Sequence, residues 1–167
     1  MPSYQNTQQT AKAMLKTIPI LHMGLLAGQV LFAIVSFNIS PPNTFYWINH
    51  NDPFVFVVPI IAIACYALGN FLFRQQIGAA IEKPTVQQKV AGYQTAMIIR
   101  FAMLEGASLF GIVSYLLTGN LLLIGISGLL IVYFIILRPT RDKIETELNL
   151  DYQEKMELDS DDAPDKH

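Results

Sequence analysis

"PFVFVVPIIAIACYALGNFLF", residues 53–73, runs for 21 residues without one Lys, Arg, Asp or Glu. A helix rises ~1.5 Å per residue, so about 20 mostly apolar residues cross the hydrocarbon core of a bilayer. The stretch therefore reads as a transmembrane helix. Working outward, three further segments satisfy the same test: "IPILHMGLLAGQVLFAIVSF" at 18–37, the segment 94–118 with its apolar part from about Ile99, and "LLLIGISGLLIVYFIILR" at 121–138.

The composition agrees. Of 167 residues, 52% are hydrophobic and only 14% charged, with a mean hydropathy of +0.38. A soluble domain carries roughly 25% charge. The single cysteine, Cys65, excludes an internal disulfide and a Cys-based zinc site, and in "AIACYAL" it reads as a small packed residue.

A net charge of −2 hides an asymmetry. Lys12 and Lys16 precede the first span. Arg74, Lys83, Lys89 and Arg100 lie between the second and third, and Arg138, Arg141, Lys143, Lys155 and Lys166 close or follow the fourth. The 38–52 loop and the turn "TGN" hold no Lys or Arg, so four spans place all eleven basic residues on one side. The positive-inside rule makes that side cytoplasmic, with both termini there. A cell-membrane location is the expectation. The first span is too long for a signal-peptide core and lacks a convincing cleavage site, so it is expected to remain.

The predicted organisation is all-α. Residues 1–17 form a cytoplasmic segment, 18–138 an integral membrane four-helix bundle (18–37, 53–73, 94–118, 121–138), and 139–167 a charged cytoplasmic helix with an acidic, disordered tail. In the outer loop, Phe45, Tyr46 and Trp47 read as interface anchors. The sequon "NIS" at 38–40 abuts the membrane and two prolines and carries little weight. Pro84 predicts that the third helix begins near it. After the fourth span, Arg141–Glu145, Lys143–Glu147 and Asp151–Lys155 have i,i+4 spacing. Ile144, Leu148 and Tyr152 make a thin apolar stripe that could dock a partner or a second copy.

Lipid gives helices no hydrophobic drive to associate, so small residues are expected at their contacts. Candidates are Gly24 and Gly28, Gly106 and Gly111 (each preceded by Ala102 or Ala107 at the same spacing), Gly125 and Gly128, with Ala62, Ala64, Ala67 and Gly69 on the second span.

The stretch "RFAMLEGASLFG", 100–111, is the one that suggests chemistry. Counting inward from Gly119 puts Arg100 at the inner interface, where it can snorkel. Glu105 lies about 9 Å inside the hydrocarbon edge at ~1.5 Å per residue. It stands about 140° round the helix from Arg100 at ~3.6 residues per turn, which rules out a regular ion pair between them. An intramembrane carboxylate costs about 2.5–3.5 kcal/mol and is by default a functional candidate. The residues at the same depth are His22, Asn70 and Tyr133, its expected partners in an ion- or proton-binding site.

"MLEGASLFGIV", 103–113, resembles the carboxylate helix of the proteolipid c subunits of rotary ATPases, through Glu105, Ala107, Phe110 and Gly111. That resemblance implies a carboxylate that binds and releases H⁺ or Na⁺. The four-span arrangement with "LRPT" and a charged tail resembles bacterial four-span inner-membrane proteins.

No glycine-rich phosphate loop, metal-spaced His/Cys cluster or Ser-His-Asp constellation is present, so neither an enzyme nor a metal or other cofactor is expected. A basic inner face beside the membrane suits the lipid bilayer rather than nucleic acid. Two functions remain: a structural or accessory component of a membrane complex, or a small proton- or cation-coupled component using Glu105.

Overall fold

The computed structural model describes residues 3–40 and 52–160, and the chain is all-helical. In order, the helices are α1 (Ser3–Ile39), α2 (Phe54–Ile81), α3 (Val86–Thr118), α4 (Leu121–Ile136), α5 (Arg141–Glu147) and α6 (Tyr152–Ser160). Three of them are long and apolar enough to cross a membrane, or four if α4 and the sharply bent α5 count as one broken span. By themselves α4's 16 residues reach about 24 Å at ~1.5 Å each, short of the ~30 Å core. These helices suggest a membrane protein. So do large apolar side chains turned outward, among them Ile60, Ile63, Leu117 and Leu129, each at least 65% exposed. Phe45, Tyr46, Trp47 and His50, and the tail beyond Ser160, lie outside the described residues.

The helix ends follow local chemistry. The Asp52 carboxylate accepts from Phe54 N (3.0 Å) at the start of α2, and Thr85 Oγ1 accepts from Gln88 N (3.3 Å) at the start of α3. Helix three thus begins beside Pro84, as the proline signals. Gly119 takes φ 69, which closes α3 in the left-handed conformation that a glycine adopts without strain. Asn120 then caps α4, its side chain accepting from Leu122 N.

The expected single charged helix after α4 is two helices. Asn149 adopts φ 49, and Leu150 N donates back to Glu145 O (3.1 Å), a left-handed stop that ends α5. Asp151 and Glu154 then cap α6 reciprocally: Glu154 N donates to Asp151 Oδ1 (2.7 Å) and Asp151 N to Glu154 Oε2 (3.0 Å). The break rotates Tyr152 off the stripe. Ile144 and Leu148 are buried, and Tyr152 is 77% exposed.

Two compact units partition the described helices. One joins residues 1–21, 72–99 and 139–167. Within it Phe73 meets Tyr93 edge-on (6.0 Å between centroids), and Lys89 on α3 pairs with Glu154 on α6 at 2.5 Å. Arg141 pairs with Glu145 (2.9 Å), and Lys155 also reaches Glu145 at 3.8 Å.

The other unit joins residues 22–71 and 100–138, and there α3 touches the other three helices. His22, Phe101 and Phe134 stack α1, α3 and α4 together, with centroids 4.7–5.1 Å apart. Val58, Tyr115 and Leu123 bury a second contact among α2, α3 and α4. Tyr115 Oη donates to the Ser40 carbonyl (2.6 Å), tying α3 to the end of α1.

Gly111 does the packing expected of it: an added Cβ would collide with Ser127 Oγ and lie 3.3 Å from Leu123 O and Val58 Cγ1. Gly69 also faces α3, but an added Cβ there would make only ordinary contacts, 3.6 Å from Met103 Cβ and 3.9 Å from Arg100 Cγ. The other glycines correct the expectation. Around Gly24, Gly28, Gly106, Gly125 and Gly128, nothing lies within 4 Å of an added Cβ. Small residues permit close approach, but the faces that meet are chosen by the whole set of side chains. Here α1 turns Ile18, His22, Gln29 and Ser36 inward and its glycines outward.

Candidate functional site

Arg100 is the centre of the polar interior. Asn70, one turn after Tyr66 on α2, donates its Nδ2 to the Tyr66 carbonyl (2.8 Å). That fixes the amide and aims Oδ1 at its neighbours. Arg100 Nη2 donates to this Oδ1 and to Tyr133 Oη (2.9 Å), while Tyr133 Oη donates to the same Oδ1 (3.0 Å). The guanidinium also lies 6.0 Å from the Tyr133 ring centroid, and Tyr66 meets that ring edge-on at 4.9 Å. Arg100, expected to snorkel, instead turns inward, because α2 and α4 supply acceptors and an aromatic face within reach.

Of the residues expected around Glu105, Asn70 and Tyr133 thus serve Arg100. His22 is 1% exposed and its Nε2 donates to the Phe134 carbonyl (2.8 Å), while Nδ1 is buried without a hydrogen-bond partner among the described residues. None of the three bonds Glu105.

Glu105 makes no hydrogen bond or ion pair to any described residue. It is half-buried at the edge of α3's outward face. On that face Ile98, Ala102, Gly106, Val113 and Leu117 are exposed, at spacings of three or four residues counting half-buried Leu109. The carboxylate is therefore flanked by two of the smallest side chains, Ala102 and Gly106, with open space above Gly106.

Two buried groups escaped the sequence reading of function. Gln29 is 1% exposed with neither amide atom bonded, and Ser108 is fully buried with its hydroxyl unbonded. Both stand seven residues beyond a contacting pair, His22 on α1 and Phe101 on α3, which puts them at one level along these helices. The seven-residue spacing of His22, Gln29 and Ser36 was the signal that could have found the stripe.

Among the described residues no group of His, Cys, Asp and Glu could hold a metal ion. The chain matches no family model, and it is not detectably similar to any curated protein or solved structure.

Proposed function

We propose that this protein is an accessory component of a membrane complex, in an inner membrane with both termini cytoplasmic, and that a partner's transmembrane helix docks on α3 around Glu105. The observation that carries this is the half-exposed, unbonded carboxylate between Ala102 and Gly106 on an outward face. An unpaired acid toward lipid is costly. A partner helix bringing a Lys, Arg, His or other donor to that depth satisfies it, and the small flanking residues permit the backbone approach that such a contact needs.

A photo-crosslinking residue placed at Ala102 tests the reading in the native membrane, against a control at Ile63 on α2, itself 69% exposed. One adduct is expected from position 102 alone. It should be lost in Gly106→Leu and in Glu105→Leu, and the captured helix should carry a basic or donor residue. Adducts equal at both positions, or unaffected by Gly106→Leu, reject it. An adduct of twice the chain's mass assigns the face to a second copy.

The second reading is proton or cation coupling through Glu105. The same outward carboxylate favours it, together with the resemblance of 103–113 to proteolipid subunits. It requires Glu105→Gln to leave assembly intact while abolishing transport.

A further inference from the structure

A cavity of about 250 Å³ opens in the unit formed by the two chain ends and the 72–99 segment. Leu15, Pro19, Ile144 and Leu158 give it apolar walls, and Lys16 and Arg141 supply two cations. Glu145 is shared there between Arg141 and Lys155. Lys16 has no ion pair among the described residues. Two cations from different helices, Lys16 on α1 and Arg141 on α5, thus line one cavity, an arrangement that suits an anion.

Its walls and its place in the chain narrow the anion. Four apolar side chains suit the neck of an amphiphile better than a bare inorganic ion. Lys16 precedes the apolar run 18–37 by two residues, and the cavity's Pro139 follows the last residue of the run 121–138. Both therefore mark the point where apolar sequence gives way to charged, the level at which basic residues meet lipid phosphates. The volume is below the ~300–1,000 Å³ that engulfs a drug-sized ligand, so it fits a head group with the acyl chains outside.

We infer that this cavity binds the phosphoryl head group of an anionic phospholipid. Lys16 and Arg141 contact the phosphate, and Leu15, Pro19, Ile144 and Leu158 cover the glycerol. The inference rests on the membrane reading but not on Glu105, and the two are tested by different residues. A soluble phosphate ester shares this chemistry, so the experiment separates the sources.

The full chain in neutral detergent is melted with phosphatidylglycerol, with phosphatidylcholine, and with glycerol phosphate. Phosphatidylglycerol should raise Tm by several degrees more than phosphatidylcholine, since a ligand of the folded state stabilises it. Lys16→Gln should remove at least half of that increment while melting normally without lipid, and Lys16→Arg should retain it. Native mass spectrometry should show the corresponding loss of bound phosphatidylglycerol in Lys16→Gln. Equal shifts with both lipids, or the full increment and full adduct in Lys16→Gln, overturn the inference. The full increment from glycerol phosphate alone overturns the lipid assignment and gives the site to a soluble ester.

Discussion

Arg100 donates to the Asn70 amide oxygen on α2, and not to Glu105 five residues along its own helix. The nearest acid in sequence is turned away, while a neutral acceptor on another helix, shared with Tyr133, receives the charge. The cation is thereby integrated into helix packing and the carboxylate is left for something else.

Removing Asn70 should therefore be expensive. Asn70→Leu keeps the volume roughly constant and strips Arg100 and Tyr133 of their common acceptor. A hydrogen bond to a charged group contributes about 1.5–3 kcal/mol. Chemical denaturation in mixed micelles should show a loss of that order for Asn70→Leu, and a smaller one for Tyr133→Phe, which leaves Asn70 Oδ1 in place for Arg100. Equal stability of Asn70→Leu and wild type would contradict the cluster.

Gly111 and Gly28 should respond in opposite directions to the same substitution. Gly111→Ala drives a Cβ into Ser127 and should lower Tm. Gly28→Ala meets nothing and gains about 0.5–1 kcal/mol of helix preference, so the isolated protein should melt no lower and somewhat higher. A Gly28→Ala variant that melts well below wild type would mean that its face is covered in the isolated protein.

Gln29 is buried without partners for its amide, and an unsatisfied buried polar group costs about 1–3 kcal/mol. Gln29→Met keeps the length of the side chain and removes both polar atoms. We expect a more stable protein by thermal melting. A less stable one would show that Gln29 is satisfied by ordered water or by a partner, Ser108 being the group at its level.

Glu105 should be reachable from the lipid phase. A lipid-soluble carbodiimide should label it in the isolated protein, and assembly with the proposed partner should protect it. Absence of labelling in the isolated protein would place the carboxyl on an inaccessible face, against both functional readings. His22, 1% exposed, serves as the contrast: an imidazole reagent should not modify it in the folded protein.

Much of the fold was legible because membrane helices advertise themselves by length and apolarity. The apolar runs, the turn at Gly119–Asn120 and the start of α3 beside Pro84 all depend on local chemistry and recur in the structure. The break at Asn149 was not legible. A non-glycine residue at φ 49 gives no distinctive sequence signal, and the charge spacing of 141–155 suits one helix or two. The candidate site was not legible: counting depth gave His22, Asn70 and Tyr133 as partners of Glu105, and none of them bonds it, because depth does not say which neighbour each one serves.

By itself the sequence determined which segments are helical, which of them can enter a bilayer, and that Glu105 must be accounted for. Those properties follow from the chemistry of contiguous residues. Only the tertiary structure decided which way each helix faces. It turned Gly24, Gly28 and Gly106 outward and Gly111 inward, gave Asn70 and Tyr133 to Arg100, and left Glu105 unbonded beside open space. The physical reason is that these long apolar helices show little contrast between their own faces, so the rotation of each is fixed largely by the sum of its packing and hydrogen bonds with its neighbours.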